Sequence, residues 1–205
     1  MRRLVVATTN RGKLKEIAQL LAGVAGSTVE LLTLADFPPV TPPQETGQTF
    51  AENARLKARF YARHTGELTV AEDSGLEIDA LGGAPGVESA RFGGEQSTYP
   101  EKFALIYDAL NARKAATSTA RFVCALALVT DSRVLFETRG TVEGEIAPEP
   151  RGTGGFGYDP IFFYPPFGST LAEATAEQKS GVSHRGEAFR ALRQYMADNR
   201  ALFVD

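Results

Sequence analysis

Short apolar runs bounded by polar turns alternate with stretches of helical spacing through the first half of the chain. Leu4 to Ala7 reads as a short buried strand, and Thr8-Thr9-Asn10-Arg11-Gly12 as a turn carrying capping residues. From Lys13 to Leu21 the apolar positions Leu14, Ile17, Ala18 and Leu21 recur three and four apart, which predicts a helix. Val29 to Leu34 predicts a second strand. Phe37 to Gly47 holds four prolines and predicts a loop. Phe50 to Arg63 is rich in helix formers, with Phe50, Ala54, Lys57, Ala58 and Tyr61 along one stripe. Leu68 to Ala71 predicts another strand, and Gly82-Gly83-Ala84-Pro85-Gly86 an irregular loop. Pro100 to Ala112 suits a helix. Ala120 to Thr130 and Val134 to Val142 are long and β-rich, and Asp131-Ser132-Arg133 joins them as a hairpin. Pro148 to Gly157 is a second glycine-rich loop. Glu187 to Leu202 closes the pattern as a helix, with Phe189, Leu192, Tyr195 and Met196 on one side. No repeat, low-complexity tract or linker interrupts this order. Strands and helices alternate early and a hairpin comes late, so the pattern predicts an α/β fold with a mixed sheet.

Composition narrows the function classes. The chain has 205 residues, 43% hydrophobic and 23% charged, with a net charge of -3. One substantial domain, or two lobes sharing a core, fits that length. The missing basic excess argues against a non-specific nucleic-acid binder but leaves room for a local anion pocket. The single cysteine, Cys124, lies in the apolar run Phe122 to Leu128 and reads as a small buried hydrophobe. The apolar part of the first residues is too short for a signal peptide, and no run reaches membrane-spanning length. The expectation is a cytoplasmic protein that engages no membrane.

The segment Ala71-Glu72-Asp73-Ser74-Gly75-Leu76 changes the picture most. Two carboxylates follow an apolar run, and a hydroxyl and a glycine come next, as when a strand delivers acidic groups to a sheet rim and turns. Adjacent strand residues face opposite ways, so Glu72 and Asp73 cannot both serve one ligand. One can hold a metal or a water while the other braces the loop. Upstream, Thr8 to Lys13 lies between a strand and a helix. Free N–H groups, a positive dipole end, the Thr8 and Asn10 side chains and the Lys13 charge there suit a phosphate. The same residues also read as an ordinary capped helix with a solvated lysine. Thr49 followed by Glu52 is a capping-box pattern, and Glu45 lies in the loop before it. Glu45 becomes interesting if it meets Asp73, because magnesium takes one or two carboxylates together with phosphate oxygens and water.

Two later segments suit the other end of a nucleotide. In Arg151-Gly152-Thr153-Gly154-Gly155-Phe156-Gly157-Tyr158-Asp159-Pro160, glycines flank Phe156 and open its ring to a flat partner such as a nucleobase. Core packing is the competing reading of Phe156, and a turn-forming role that of Asp159. Lys179-Ser180-Gly181-Val182-Ser183-His184-Arg185 gathers cations that suit phosphates or purine carbonyl oxygens. His184 also reads as a structural hydrogen-bonder, and His64 as a solvated helix-end residue.

Taken in order, these segments resemble the inosine triphosphate pyrophosphatase family, whose members hydrolyse deaminated purine nucleoside triphosphates. The resemblance rests on Thr8-x-Asn10-x-x-Lys13, on Glu45-x-Gly47-x-Thr49-Phe50-x-Glu52-Asn53-Ala54-x-x-Lys57-Ala58 and on Asp73-Ser74-Gly75-Leu76. It continues through Leu81-Gly82-Gly83-Ala84-Pro85-Gly86-Val87-x-Ser89-Ala90-Arg91, Gly154-Gly155-Phe156-Gly157-Tyr158-Asp159-Pro160 and Ser183-His184-Arg185. It implies one α/β domain over residues 1–205, two-lobed around a long mixed sheet with flanking helices, a substrate cleft between the lobes, and a homodimer. Thr8, Thr9, Asn10, Arg11, Gly12, Lys13 and Lys57 would bind the triphosphate. Glu45 and Asp73 would hold Mg²⁺, with Asp73 the general base. Ser74 and Arg91 would touch substrate. Phe156, Gly157, Tyr158 and Asp159 would cradle the base, with Phe156 stacking. Lys179, His184 and Arg185 would read the six-position oxygen of hypoxanthine or xanthine. Gln44 stands where many members carry a further carboxylate, and Glu72 where an aspartate is common.

The implied reaction is Mg²⁺-assisted release of pyrophosphate and a nucleoside monophosphate from ITP, dITP or XTP. Lys13 and Lys57 would stabilise charge developing on the leaving pyrophosphate. Donors aimed at a six-position carbonyl would face the donor amino group of adenine, which gives a physical basis for rejecting ATP. Two alternatives remain open: a nucleotide-binding regulatory module without turnover, and a pyrophosphatase for modified pyrimidine nucleotides. Asp73 speaks against the first, since a carboxylate beside phosphates weakens anion binding unless a metal is present.

Overall fold

The computed structural model describes residues 2–22 and 29–203. Among them, seven strands form one sheet in the order β2-β1-β3-β4-β5-β6-β7. The strands are β1 (Arg2–Val6), β2 (Val29–Thr33), β3 (Leu68–Ile78), β4 (Thr119–Val129), β5 (Val134–Ile146), β6 (Phe162–Tyr164) and β7 (Ser169–Thr170). β1 runs parallel to β2 and β3, whereas β6 is antiparallel to both β5 and β7, so the sheet is mixed as the pattern predicts. The helices are α1 (Arg11–Leu21), α2 (Phe50–Thr65), α3 (Tyr99–Ala112), α4 (Ala176–Val182) and α5 (His184–Asp198). β4 and β5 are neighbours, and Thr130 N–H donates to the Arg133 carbonyl at 2.9 Å to close the predicted hairpin.

The main correction concerns β3. The expected turn after Glu72-Asp73 is absent, and the strand continues through Ser74 and Gly75 to Ile78. Gly75 is there for proximity rather than for turning. A Cβ on it would lie 2.3 Å from Ser89 Oγ and 2.7 Å from the Gly86 carbonyl oxygen. Smaller differences follow the same logic of local capping. α1 starts at Arg11, because the Asn10 side chain accepts from Lys13 N–H and caps the helix there. α2 runs on to Thr65 and stops at Gly66, whose φ of 72° suits glycine. β6, β7 and α4 were not anticipated, since two- and three-residue strands among prolines leave no periodic signature. The closing helix begins at His184 and ends at Asp198, and a 3-10 turn covers Arg200–Leu202.

The chain divides into two compact units. Unit 1 comprises the described parts of Met1–Asp73, Cys124–Gly140 and Arg185–Asp205; unit 2 comprises Ser74–Val123 and Thr141–His184. The core of unit 1 gathers Leu4, Val6, Ile17, Leu68, Val70, Leu126, Phe189 and Leu192. It buries the apolar stripes of α1 and α5 with the first three strands. The core of unit 2 gathers Leu76, Ile78, Phe103, Ile106, Phe122, Tyr158 and Phe162.

Candidate active site

In unit 1 the strand-borne Asp73 and the loop-borne Glu45 converge on one cation. Lys57 Nζ lies 2.9 Å from Glu45 Oε1 and 2.8 Å from Asp73 Oδ1. Lys57 projects from α2, whose start is fixed by the predicted capping box. Glu52 N–H donates to Thr49 Oγ1 at 3.2 Å, and the Glu52 carboxylate accepts from Thr49 N–H at 3.1 Å. Asn53, fully buried on the same helix, donates to Asp73 Oδ2 at 3.3 Å and accepts from Gly47 N–H at 2.8 Å. It thereby holds both the carboxylate and the loop that carries Glu45. Burial raises the Asp73 carboxyl, and Lys57 offsets this only in part. Burial opposes the Lys57 charge, but Asp73 and Glu45 more than compensate and raise its pKa. A raised, desolvated carboxylate is a stronger base than an exposed one.

These residues fit magnesium. Two hard carboxylate oxygens already share one positive charge, and that donor set is the protein share magnesium takes when phosphate oxygens and water complete the shell. Among the described residues, no group of three or more His, Cys, Asp or Glu side chains comes together to hold a metal without substrate.

Glu72 faces the other way, as strand alternation requires. It is buried and meets Lys13 Nζ at 3.0 Å, Arg185 at 3.2 Å and the Cys124 thiol at 3.3 Å. Burial would raise its carboxyl, but the charges of Arg185, Lys13 and Lys57 hold it well below the usual glutamate range. Arg185 also pairs with Glu16 on α1 at 2.6 Å. Glu72 therefore braces Lys13 rather than sharing the Asp73 site. Thr8 and Asn10 shape the start of α1: Asn10 N–H donates to Thr8 Oγ1 at 3.2 Å and Lys13 N–H to Asn10 Oδ1 at 3.1 Å. Thr9, Asn10 and Arg11 are exposed there, with Gly12 half-buried beside them.

Unit 2 brings together the base candidates. Phe156 is half-buried, and the Lys179 ammonium lies 4.7 Å from its ring centroid. Asp159 Oδ2 accepts from Phe156 N–H and from Lys179 Nζ, both at 2.7 Å. Gly155 makes this possible: its φ is 69°, and a Cβ there would sit 2.1 Å from Asp159 Oδ2. Asp159 thus serves as a turn-former and as the anchor of Lys179. His184 is buried and stacks on Phe122, ring centroids 5.0 Å apart. Tyr158 is buried with its hydroxyl on the Ser89 carbonyl at 2.8 Å. Arg91 forks onto Glu88 at 2.5 and 3.0 Å, and Ser74 is half-buried at the start of the unit.

Arg185, expected to read the base with Lys179 and His184, pairs with Glu16 at 2.6 Å and with Glu72 at 3.2 Å. Sequence reasoning also assigned no role to Asn53, Ser89 or Lys102. A polar residue inside the apolar face of a helix, as Lys102 is beside Phe103, Ile106 and Leu110, was the available signal.

The chain is similar to known proteins along most of its length. Residues 4–195 match the Ham1 family, and the chain belongs to it. It is 47% identical over 190 residues to a dITP/XTP pyrophosphatase of Exiguobacterium sibiricum, covering 93% of this chain and 94% of that one. A dITP/XTP pyrophosphatase of Gloeobacter violaceus is 49% identical over 192 residues, covering 94% and 93%. Among solved structures, a HAM1 protein from Coxiella burnetii is similar with a TM-score of 0.88 at 40% identity, covering 97% of this chain and all of that one.

Proposed function

We propose that this chain is a nucleoside triphosphate pyrophosphatase that hydrolyses deaminated purine nucleotides (dITP, ITP and XTP) to the monophosphate and pyrophosphate. The observation that carries this reading is the convergence of Glu45 and Asp73 on Lys57, in a chain nearly half identical to dITP/XTP pyrophosphatases. Magnesium held by Glu45 and Asp73 would screen phosphate charge and polarise a phosphoryl oxygen.

The protein groups do the rest. Asp73, raised by burial and steadied by Asn53, takes a proton from the attacking water. The water oxygen bonds to phosphorus, the P–O bond between the α and β phosphates breaks, and its electron pair leaves on pyrophosphate. Lys13 and Lys57 balance the charge gathering there, and the N–H groups opening α1 bind phosphate oxygens. Glu72, itself paired with Arg185, holds Lys13 in place. Phe156 stacks on the base, and Lys179 and His184 read its six-position oxygen. In ATP an amino group replaces that oxygen, leaving buried donors without acceptors. The chain acts as a homodimer in the cytoplasm under this proposal.

The test is pyrophosphate release from ITP, dITP, XTP, GTP, ATP and dTTP, with magnesium and with chelator. Fast release from ITP, dITP and XTP, only with magnesium, is expected. Preference for dTTP would favour a pyrimidine enzyme instead, and binding without turnover a regulatory module.

A further inference from the structure

Unit 2 holds a buried lysine that no role so far explains. Lys102, in the first turn of α3, is 3% exposed within a stripe shared with Phe103, Ile106 and Leu110. Its ammonium donates to the Ala90 backbone carbonyl and lies 5.0 Å from the Tyr99 ring centroid. Burial lowers its pKa, and among the described residues no carboxylate offsets that cost. A buried cation without an anion is costly, and an apolar side chain would suit the stripe better. The two groups that stabilise the ammonium are therefore informative.

Both lead to the base loop. Ala90 follows Ser89, whose carbonyl accepts the Tyr158 hydroxyl at 2.8 Å. Ser89 Oγ accepts from Leu76 N–H at 2.9 Å and donates to the Gly86 carbonyl at 2.5 Å, so this segment is docked on β3 just beyond Ser74. The Tyr158 ring meets Tyr99 edge-to-face, centroids 5.4 Å apart at 90°. Tyr99 in turn lies beside the Lys102 ammonium. The contacts close on themselves: Lys102 to Ala90, along the backbone to Ser89, to Tyr158, to Tyr99 and back to Lys102.

We propose that Lys102 is a positioning residue for nucleoside recognition. By gripping Ala90 and Tyr99 together it fixes, through Ser89 and Tyr158, the Phe156–Asp159 loop relative to the 86–91 segment that carries Arg91. Tyr158 is then an inward strut rather than a substrate contact. This rests on the assignment of the Phe156–Asp159 loop to the base.

The test is steady-state kinetics with ITP and binding of inorganic tripolyphosphate, on wild type, Lys102→Met, Lys102→Arg and Tyr158→Phe. Methionine keeps the stem and removes the charge. Lys102→Met should raise KM for ITP about five- to twenty-fold, leave kcat within about two-fold and leave tripolyphosphate affinity unchanged. Lys102→Arg should recover most of the KM. Tyr158→Phe should raise KM, and combining it with Lys102→Met should cost no more than the larger single effect. A folded Lys102→Met enzyme with wild-type KM would overturn the proposal, as would KM and tripolyphosphate affinity worsening together. If Lys102→Met does not fold, Tyr158→Phe and Lys102→Arg decide, and wild-type KM in Tyr158→Phe overturns it. The functional reading fails separately, on wild-type enzyme that does not prefer ITP. The variants are then read with whichever nucleoside triphosphate wild type turns over fastest, under the same criteria.

Discussion

Unit 1 and unit 2 build their functional groups by different means. In unit 1, charges are held by charges: Lys57 between Glu45 and Asp73, and Glu72 between Lys13 and Arg185. Apart from the loop-borne Glu45, these groups stand on β3, α1, α2 and α5, so regular elements set most of their spacing. In unit 2, the groups stand mostly on loops, and backbone fit and ring contacts set their positions. Gly155 lets Asp159 approach, Asp159 holds Lys179, and Tyr158 reaches back to Ser89. Under the proposed function the difference would correspond to the two ends of a nucleoside triphosphate. Phosphate chemistry needs rigidly placed charge, and base recognition needs a shaped, largely apolar slot with few polar groups.

Substitutions in each unit should therefore fail in different ways. The largest effect is expected from Asp73→Asn, which should lower kcat about 10²- to 10⁴-fold while ITP still binds. Pyrophosphate release near the wild-type rate would remove Asp73 from the base role. Glu72→Gln should act on stability instead. It leaves Arg185 and Lys13 facing a neutral side chain, and urea unfolding at pH 7 should show a loss of about 3 kcal/mol. The Glu72 carboxyl is depressed in the fold, so its contribution is full above the ordinary value of 4.5 and fades as pH falls below it. Urea midpoints measured from pH 7 to pH 3 should fall less steeply in the variant than in wild type. Equal slopes would show that Glu72 is not held by its cationic neighbours.

Phe156→Ala probes the other unit. It should raise KM for ITP about ten-fold with kcat nearly unchanged, worth about 1.4 kcal/mol. A fall in kcat alone would place Phe156 in the chemistry rather than in recognition. The smallest effect is expected at the exposed pair of Arg55 with Glu137, 2.8 Å apart. Arg55→Ala should cost less than about 1 kcal/mol and leave kinetics unchanged, because water and salt screen the pair.

The regular half of this division was legible in the sequence. Helical spacing located α1 and α2, the Thr49–Glu52 cap placed the start of α2, and alternation separated Glu72 from Asp73. What misled was Gly75, read as a turn residue although it is needed for close approach to Ser89. A glycine has one identity in sequence and several physical uses, and only the neighbouring segment tells them apart. Arg185 shows a second limit. Its place in the sequence gives no hint that it pairs with Glu16 and Glu72. Lys102 shows a third, since a lysine in an apolar stripe gives no hint of which carbonyl or ring it meets.

The separation of chemistry from recognition is tested most directly by equilibrium titration of the Asp73→Asn enzyme with ITP and with ATP, in magnesium. With turnover removed, only binding is measured. Discrimination that resides in Phe156, Lys179 and His184 should survive, with ITP bound about ten-fold or more tighter than ATP. Equal affinities for the two nucleotides would contradict the account.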